Sequence, residues 1–155
     1  MNKIITTKIN NMDASSINWL AVLAAGLSAF VVGGVWYSPA LFGKAWMADN
    51  HLTEESIKKG NFTKIFGFTI LFSLIAAANL GMFLADTPKE CTGNCARHSD
   101  ISWGAIAGFL AGIWVFAFVA IHGLFEHKPW RLIFINGGYA LVALTLMGAI
   151  IGLWR

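Results

Sequence analysis

ISWGAIAGFLAGIWVFAFVAIHGLF, residues 101–125, is the stretch on which the fold turns. It carries no Asp, Glu, Lys or Arg. At about 1.5 Å per helical residue, roughly 20 residues cross the ~30 Å hydrocarbon core of a bilayer, so this run is long enough to span. Three more windows repeat the pattern: Ile17–Tyr37, Ile65–Ala85 and Leu132–Trp154. The 11 basic and 8 acidic residues of the chain all lie outside the four windows. One charge at the centre of a spanning helix costs about 3 kcal/mol, so this placement is a constraint rather than a coincidence. The chain reads as one integral membrane domain over residues 1–155, all-α, a four-helix transmembrane bundle.

Composition agrees. Hydrophobic residues make up 57% and charged ones 12%, against about 25% charged in soluble domains. The net charge of +3 comes from lysines near the expected membrane boundaries, where they suit phosphate headgroups. No basic stripe with interleaved aromatics is present, which excludes a nucleic-acid partner and leaves the lipid bilayer as the first one. Lys3 and Lys8 ahead of an apolar run imitate a secretory signal. The run begins only at Ile17, however, after Asn10, Asn11 and Asp13, and is about twice as long as a signal h-region. It is expected to be the first spanning helix.

Aromatic residues fix the register. Trp and Tyr favour the headgroup level, where an apolar ring and a polar tip are both satisfied. Trp19, Trp103 and Trp154 fall at span ends on one face, and Trp36, Tyr37 and Trp130 at ends on the other; Trp114 alone falls mid-span. Four spans put both termini on the face of loop Asp86–Asp100. The opposite face carries loop Ser38–Lys64 and turn Glu126–Arg131. Lys plus Arg number five on the terminal face and six on the other, or three against six if translation starts at Met12. The positive-inside rule then puts Ser38–Lys64 in the cytoplasm and both termini outside the cell (inner) membrane.

Within loop Ser38–Lys64, two short interfacial helices are expected. Ser38-Pro39 reads as N-cap and first position of one, with Leu41, Phe42, Ala45 and Trp46 on a shared face. Thr53 caps the other, with Glu54 and Glu55 in its first turn, Lys58 and Lys59 in its last, and Gly60 after it. Asn61 and Asp100 are expected to cap the second and third spans.

Apolar helices gain little by association in lipid, so small residues that let backbones approach decide the packing. At 100° per residue, Gly104, Gly108, Ala111, Gly112 and Val115 share one face of the third span. Ile106, Phe109, Ile113, Ala117 and Leu124 cover the opposite face. The first span carries Asn18, Ala25, Gly26, Ala29, Gly33 and Trp36 as a strip. The fourth has two small faces, Ala140–Ala143 below Asn136 and a second through Gly137, Thr145, Gly148 and Gly152, which predicts two close neighbours. The glycines fit either the bundle itself or a homo-oligomer contact. Under the second reading, Gly108→Leu changes oligomer size and leaves the monomer folded.

Two blocks carry a family resemblance. The first is Ile17-Asn18-Trp19-Leu20-Ala21-Val22, followed by Gly34-Val35-Trp36-Tyr37-Ser38-Pro39 and Leu41-Phe42-Gly43-Lys44-Ala45-Trp46. The second is Trp130-Arg131-Leu132, Ile135-Asn136-Gly137-Gly138-Tyr139 and Gly148. Together they resemble the bacterial domain-of-unknown-function family numbered 1761, a group of small membrane proteins. The head Met1–Met12 and the Cys91–Cys95 loop depart from its pattern. The resemblance implies a membrane architecture and no activity.

His122 is the only histidine inside a span. Five helical turns from Gly104, it is expected on the packed face of the third helix. Asn136 and Tyr139 enter the fourth helix at comparable depth, and Trp36 and Tyr37 lie at that level too. Leaving such groups unpaired in hydrocarbon is costly, so they are expected to converge. Three readings fit: a structural lock, a site for a lipid headgroup or small molecule, and a metal or catalytic site drawing on His122, Glu126 and His127. Asn18 and Asn79, toward the other face, suggest an interhelical amide pair. Cys91 and Cys95 with His98 fit a local disulfide or spectator thiols better than zinc, since Cys-x3-Cys is off the usual spacing and one histidine leaves four ligands incomplete.

No Gly-rich phosphate loop, nucleophile elbow or His-Glu-x-x-His motif is present, and no span holds the carboxylate that an ion-coupled transporter needs. The reading therefore assigns no catalytic residue, cofactor or metal. It expects a non-enzymatic membrane protein that self-associates or serves as an accessory subunit. The alternative is binding or permeation of a small molecule or lipid headgroup through the His122–Asn136–Tyr139 region.

Overall fold

A computed structural model describes residues 17–85 and 100–154. In chain order the helices are α1 (Trp19–Trp36), α2 (Gly43–Asp49), α3 (Glu54–Lys58), α4 (Phe62–Ala85), α5 (Ile101–Phe125) and α6 (Trp130–Leu153). Four of them, α1, α4, α5 and α6, are long and apolar enough to cross a membrane. The described residues contain no strand. The fold is the expected all-α bundle, with α2 and α3 in the first loop.

Local chemistry sets the helix ends. The Asn18 side chain accepts the N–H groups of Leu20 and Ala21, so α1 starts at Trp19. Asn61 accepts the Lys64 N–H at 3.0 Å, which brings Lys64 into the first turn of α4, ahead of the apolar window. Asp100 accepts the Trp103 N–H at 2.9 Å and opens α5. Thr53 and Ser56 form a reciprocal capping box at α3. Both α2 and α5 end with a histidine in the left-handed region, His51 at φ 54° and His127 at φ 55°. In each case the next two N–H groups close back on the helix. His51 donates to the Ala48 carbonyl and Leu52 to that of Met47, while His127 donates to Leu124 and Lys128 to Gly123. These are Schellman closures with histidine where glycine is usual.

One expectation is corrected. Ser38-Pro39 does not start a helix; α2 begins at Gly43, and its N-cap Phe42 makes no side-chain cap bond. The Ser38 carbonyl accepts both the Leu41 N–H (3.1 Å) and the Gly43 N–H (2.9 Å). The chain therefore folds back over the end of α1 before α2 can form.

The spans run antiparallel. α6 lies between α1 and α5, α1 lies between α4 and α6, and α5 packs almost wholly on α6. The two small faces of α6 meet α1 and α5 respectively. Asn18 Nδ2 donates to the Trp154 carbonyl at 2.9 Å, tying the start of α1 to the end of α6 on one face. Asn18 is thus engaged as a cap and a tie, and Asn79 is exposed, so the two amides do not pair. The core is small-residue packing around Ala25, Ala29, Ala77 and Ala143, closed by Val22, Leu84, Met147 and Ile151.

The α5–α6 seam is the tightest contact. A Cβ on Gly104 would fall on the carbonyl oxygen of Gly148, one on Gly148 on that of Gly104, and one on Gly108 on that of Leu144. At Gly112 it would lie 2.8 Å from Leu141 Cα, and at Gly152 2.5 Å from the Asp100 carbonyl. The strip open to either bundle or oligomer is occupied by the chain's own α6. Ile106, Phe109, Ile113 and Leu124 face outward as expected.

Val115 and His122 do not join the seam; both are exposed. A straight stripe on a helical wheel holds residues seven apart, as these are. Contact between crossing helices follows the inclined i, i+4 row instead. The row Gly104–Gly108–Gly112 moves around α5 and is continued by Phe116, against Gly137, and by Gly123, against Ile133. By the last turn His122 has been left to one side.

Candidate functional site

The end of α1 builds the first half of the site. Trp36 Nε1 donates to the Ile135 carbonyl at 3.0 Å, and the Tyr37 hydroxyl donates to Asn136 Oδ1 at 3.1 Å. The Tyr139 hydroxyl donates to the Ala29 carbonyl at 3.2 Å. The Tyr37 ring stands 5.4 Å from that of Tyr139 and 5.7 Å from that of Trp46, and Trp36 lies 4.7 Å from Phe42. Each of these donors would otherwise face hydrocarbon or its margin unpaired, which is why the rings carry polar tips and why the tips find acceptors on the neighbouring helix.

Gly43 permits the turn beneath them. A Cβ there would fall on the Tyr37 carbonyl oxygen and lie 2.8 Å from that of Ser38. From this turn α2 runs to the start of α6, where Arg131 forks onto Asp49, with Nε to Oδ2 at 2.8 Å and Nη2 to Oδ1 at 2.5 Å. It is the only ion pair recorded among the described residues. The Arg131 hydrogen bond holds the Asp49 carboxyl below the usual carboxylate range. The folded value is depressed, so the stabilisation is complete above the ordinary Asp value near 4 and disappears as pH falls through the lower folded value. We predict that the protection of α2 amides, measured relative to their intrinsic exchange rate at each pH, falls in that acidic window, and that Asp49→Asn lowers it already at neutral pH with no further loss on acidification. Equal exchange in both proteins at pH 7 would refute the latch.

Beyond Asn136, on the other side of α6, lies an open groove of about 440 Å³. Val115, Phe118, Val119 and Gly123 of α5 and Leu132 and Ile133 of α6 form its apolar lining. Asn50, His122, Glu126, Lys128 and Asn136 supply its polar groups. The groove runs between the last turns of α5 and the first turns of α6, at the face that carries loop Ser38–Lys64.

The five residues expected to converge are thus divided. Trp36, Tyr37, Asn136 and Tyr139 join α1 to α6. His122 makes no hydrogen bond to Asn136 or Tyr139 and instead lines the groove, which Asn136 also lines. Among the described residues no three or more His, Cys, Asp or Glu side chains are grouped so as to hold a metal ion. Cys91, Cys95 and His98 lie outside the described residues. Four residues were not singled out as site members from sequence: Asn50 and Lys128 in the groove, and Asp49 and Arg131 as an ion pair. The pair joins positions 82 apart, which no local pattern links.

Four apolar antiparallel helices with polar groups gathered at one membrane level define a small multi-pass α-helical membrane protein. Residues 20–152 match the model of the family described as protein of unknown function (DUF1761), and the chain belongs to that family. The two blocks that carry the resemblance meet in space. Trp36 and Tyr37 from the first stand against Ile135, Asn136, Gly138 and Tyr139 from the second. No curated protein and no solved structure matches the chain.

Proposed function

We propose that this protein is a non-enzymatic membrane protein that holds an amphiphilic ligand in the α5–α6 groove. The observation that carries the reading is the groove's gradient, from Val115, Phe118 and Val119 at one end to Asn50, Glu126 and Lys128 at the other. Its volume falls within the roughly 300–1,000 Å³ of small-ligand sites. His122 takes no part in packing the bundle, which favours a ligand role for it over a lock. His122→Ala is expected to leave the basal melting temperature unchanged and to remove the stabilisation given by bound lipid or detergent extract. A fall in basal stability with ligand response intact would return His122 to a structural role.

A second reading, association with another copy or another membrane subunit, is favoured by Trp114. It lies at the middle of α5, is 72% exposed, and its indole N–H has no acceptor among the described residues. At that depth lipid offers none either. Native mass spectrometry from mild detergent reads both propositions, reporting retained ligand and subunit number together. The orientation we propose, with loop Ser38–Lys64 in the cytoplasm of an inner-membrane protein, is supported by the six-to-five balance of basic residues. Labelling of Glu55→Cys from outside intact cells would reverse it.

A further inference from the structure

We propose that the groove takes a phospholipid whose headgroup is a zwitterion with a primary ammonium, the chemistry of phosphatidylethanolamine. The assignment rests on the ligand-binding reading of the groove and adds the headgroup class.

The polar end holds one cation, Lys128, and one carboxylate, Glu126, two positions apart on the turn between α5 and α6. Neither belongs to a salt bridge among the described residues. A phosphate beside Lys128 and an ammonium beside Glu126 satisfy both charges with one ligand. A purely anionic headgroup would satisfy Lys128 and leave Glu126 facing like charge.

The amides sharpen the choice. Tyr37 donates to Asn136 Oδ1, so that oxygen is engaged and the Nδ2 group, which has no partner among the described residues, is the part left to donate. A phosphate oxygen accepts such a bond. At the other side, the Glu126 carboxylate and the Asn50 side-chain oxygen are acceptors, and a primary ammonium brings three N–H donors to meet them. A quaternary ammonium brings none. It is recognised instead by the faces of Trp, Tyr or Phe, and among the lining residues the single one of these is Phe118, placed with the apolar residues. Val115, Phe118 and Val119 then continue as the bed for the acyl chain.

The test uses the full chain in nanodiscs and in mild detergent, titrated with phosphatidylethanolamine, phosphatidylglycerol and phosphatidylcholine of matched acyl chains. Phosphatidylethanolamine is expected to be retained in native mass spectra at least tenfold more than the other two and to raise the melting temperature. Glu126→Gln and Lys128→Gln should each remove that preference, and Val119→Trp, which fills the apolar wall, should abolish retention of every lipid. Preferential retention of phosphatidylglycerol or phosphatidylcholine that Val119→Trp still abolishes would sink the headgroup assignment and leave the groove as a binding site. Retention that Val119→Trp does not change, or no retention at all, would overturn both.

Discussion

Gly108→Ala and Gly148→Ala are each expected to destabilise the folded bundle by about 3 kcal/mol or more, lowering the melting temperature by about 10 °C. The reason is geometric. At both positions the added methyl would meet a carbonyl oxygen of the opposing helix, Leu144 for Gly108 and Gly104 for Gly148. A side chain in the way could rotate; a backbone carbonyl moves only if α5 and α6 separate along their length. That separation forfeits the close contact on which helix association in lipid depends. Gly34→Ala and Gly67→Ala supply the control. Nothing lies within 4 Å of a Cβ at either site, so these variants should be neutral or gain up to about 1 kcal/mol from helix propensity. The comparison is read by thermal unfolding in detergent. If Gly108→Leu were to leave the monomer folded and change only its oligomeric mass, the seam would be a subunit contact and the intramolecular assignment wrong.

Gly43→Ala is the second large effect, at about 2–3 kcal/mol. Its Cβ would collide with the carbonyls of Tyr37 and Ser38, which form the turn that folds the chain back over α1. Opening that turn carries α2 away from α6. It strains the Trp36 and Tyr37 bonds to Ile135 and Asn136 and unseats Asp49 from Arg131. The measurement is twofold, a lowered melting temperature and faster hydrogen exchange across α2. Tyr37→Phe, which deletes a single hydrogen bond worth about 1 kcal/mol, should fall well short of it. A Gly43→Ala protein as stable as the parent would mean that the turn relaxes freely and that the glycine has another reason.

Several features were legible in the residues alone, each for a local reason. The caps at Thr53, Asn61 and Asp100 declare themselves by residue type and position, because capping is settled within four residues. The cap at Asn18 was missed, since the apolar window is counted from Ile17 and the amide is assigned to Asn79. The two neighbours of α6 were legible because it carries two small faces. What the strip on α5 could not state is whose backbone meets it. Small residues announce a close approach and leave the partner open. His122 shows a different limit. Projection down a straight helix assigns it to the face of Gly104, while the real seam follows an inclined row and passes it by. The groove was legible only in part: His122, Glu126 and Asn136 were expected near one membrane level, whereas Asn50, from the first loop, and Lys128, from the turn after α5, join them only in the fold.

From its residues alone, the chain set the number and length of the apolar helices able to cross a membrane, and with an even number of them the start of α1 and the end of α6 share one face. Each segment's transfer from water to lipid depends on that segment's own composition, and caps and turns on their nearest neighbours. Only the folded arrangement decided that α6 sits between α1 and α5, that the glycine strip closes within the chain, and that His122 lines a groove. Lipid offers no hydrophobic gain for pairing one apolar helix rather than another. The choice rests on shape and hydrogen bonding between surfaces far apart in the sequence, and these exist only once the helices have come together.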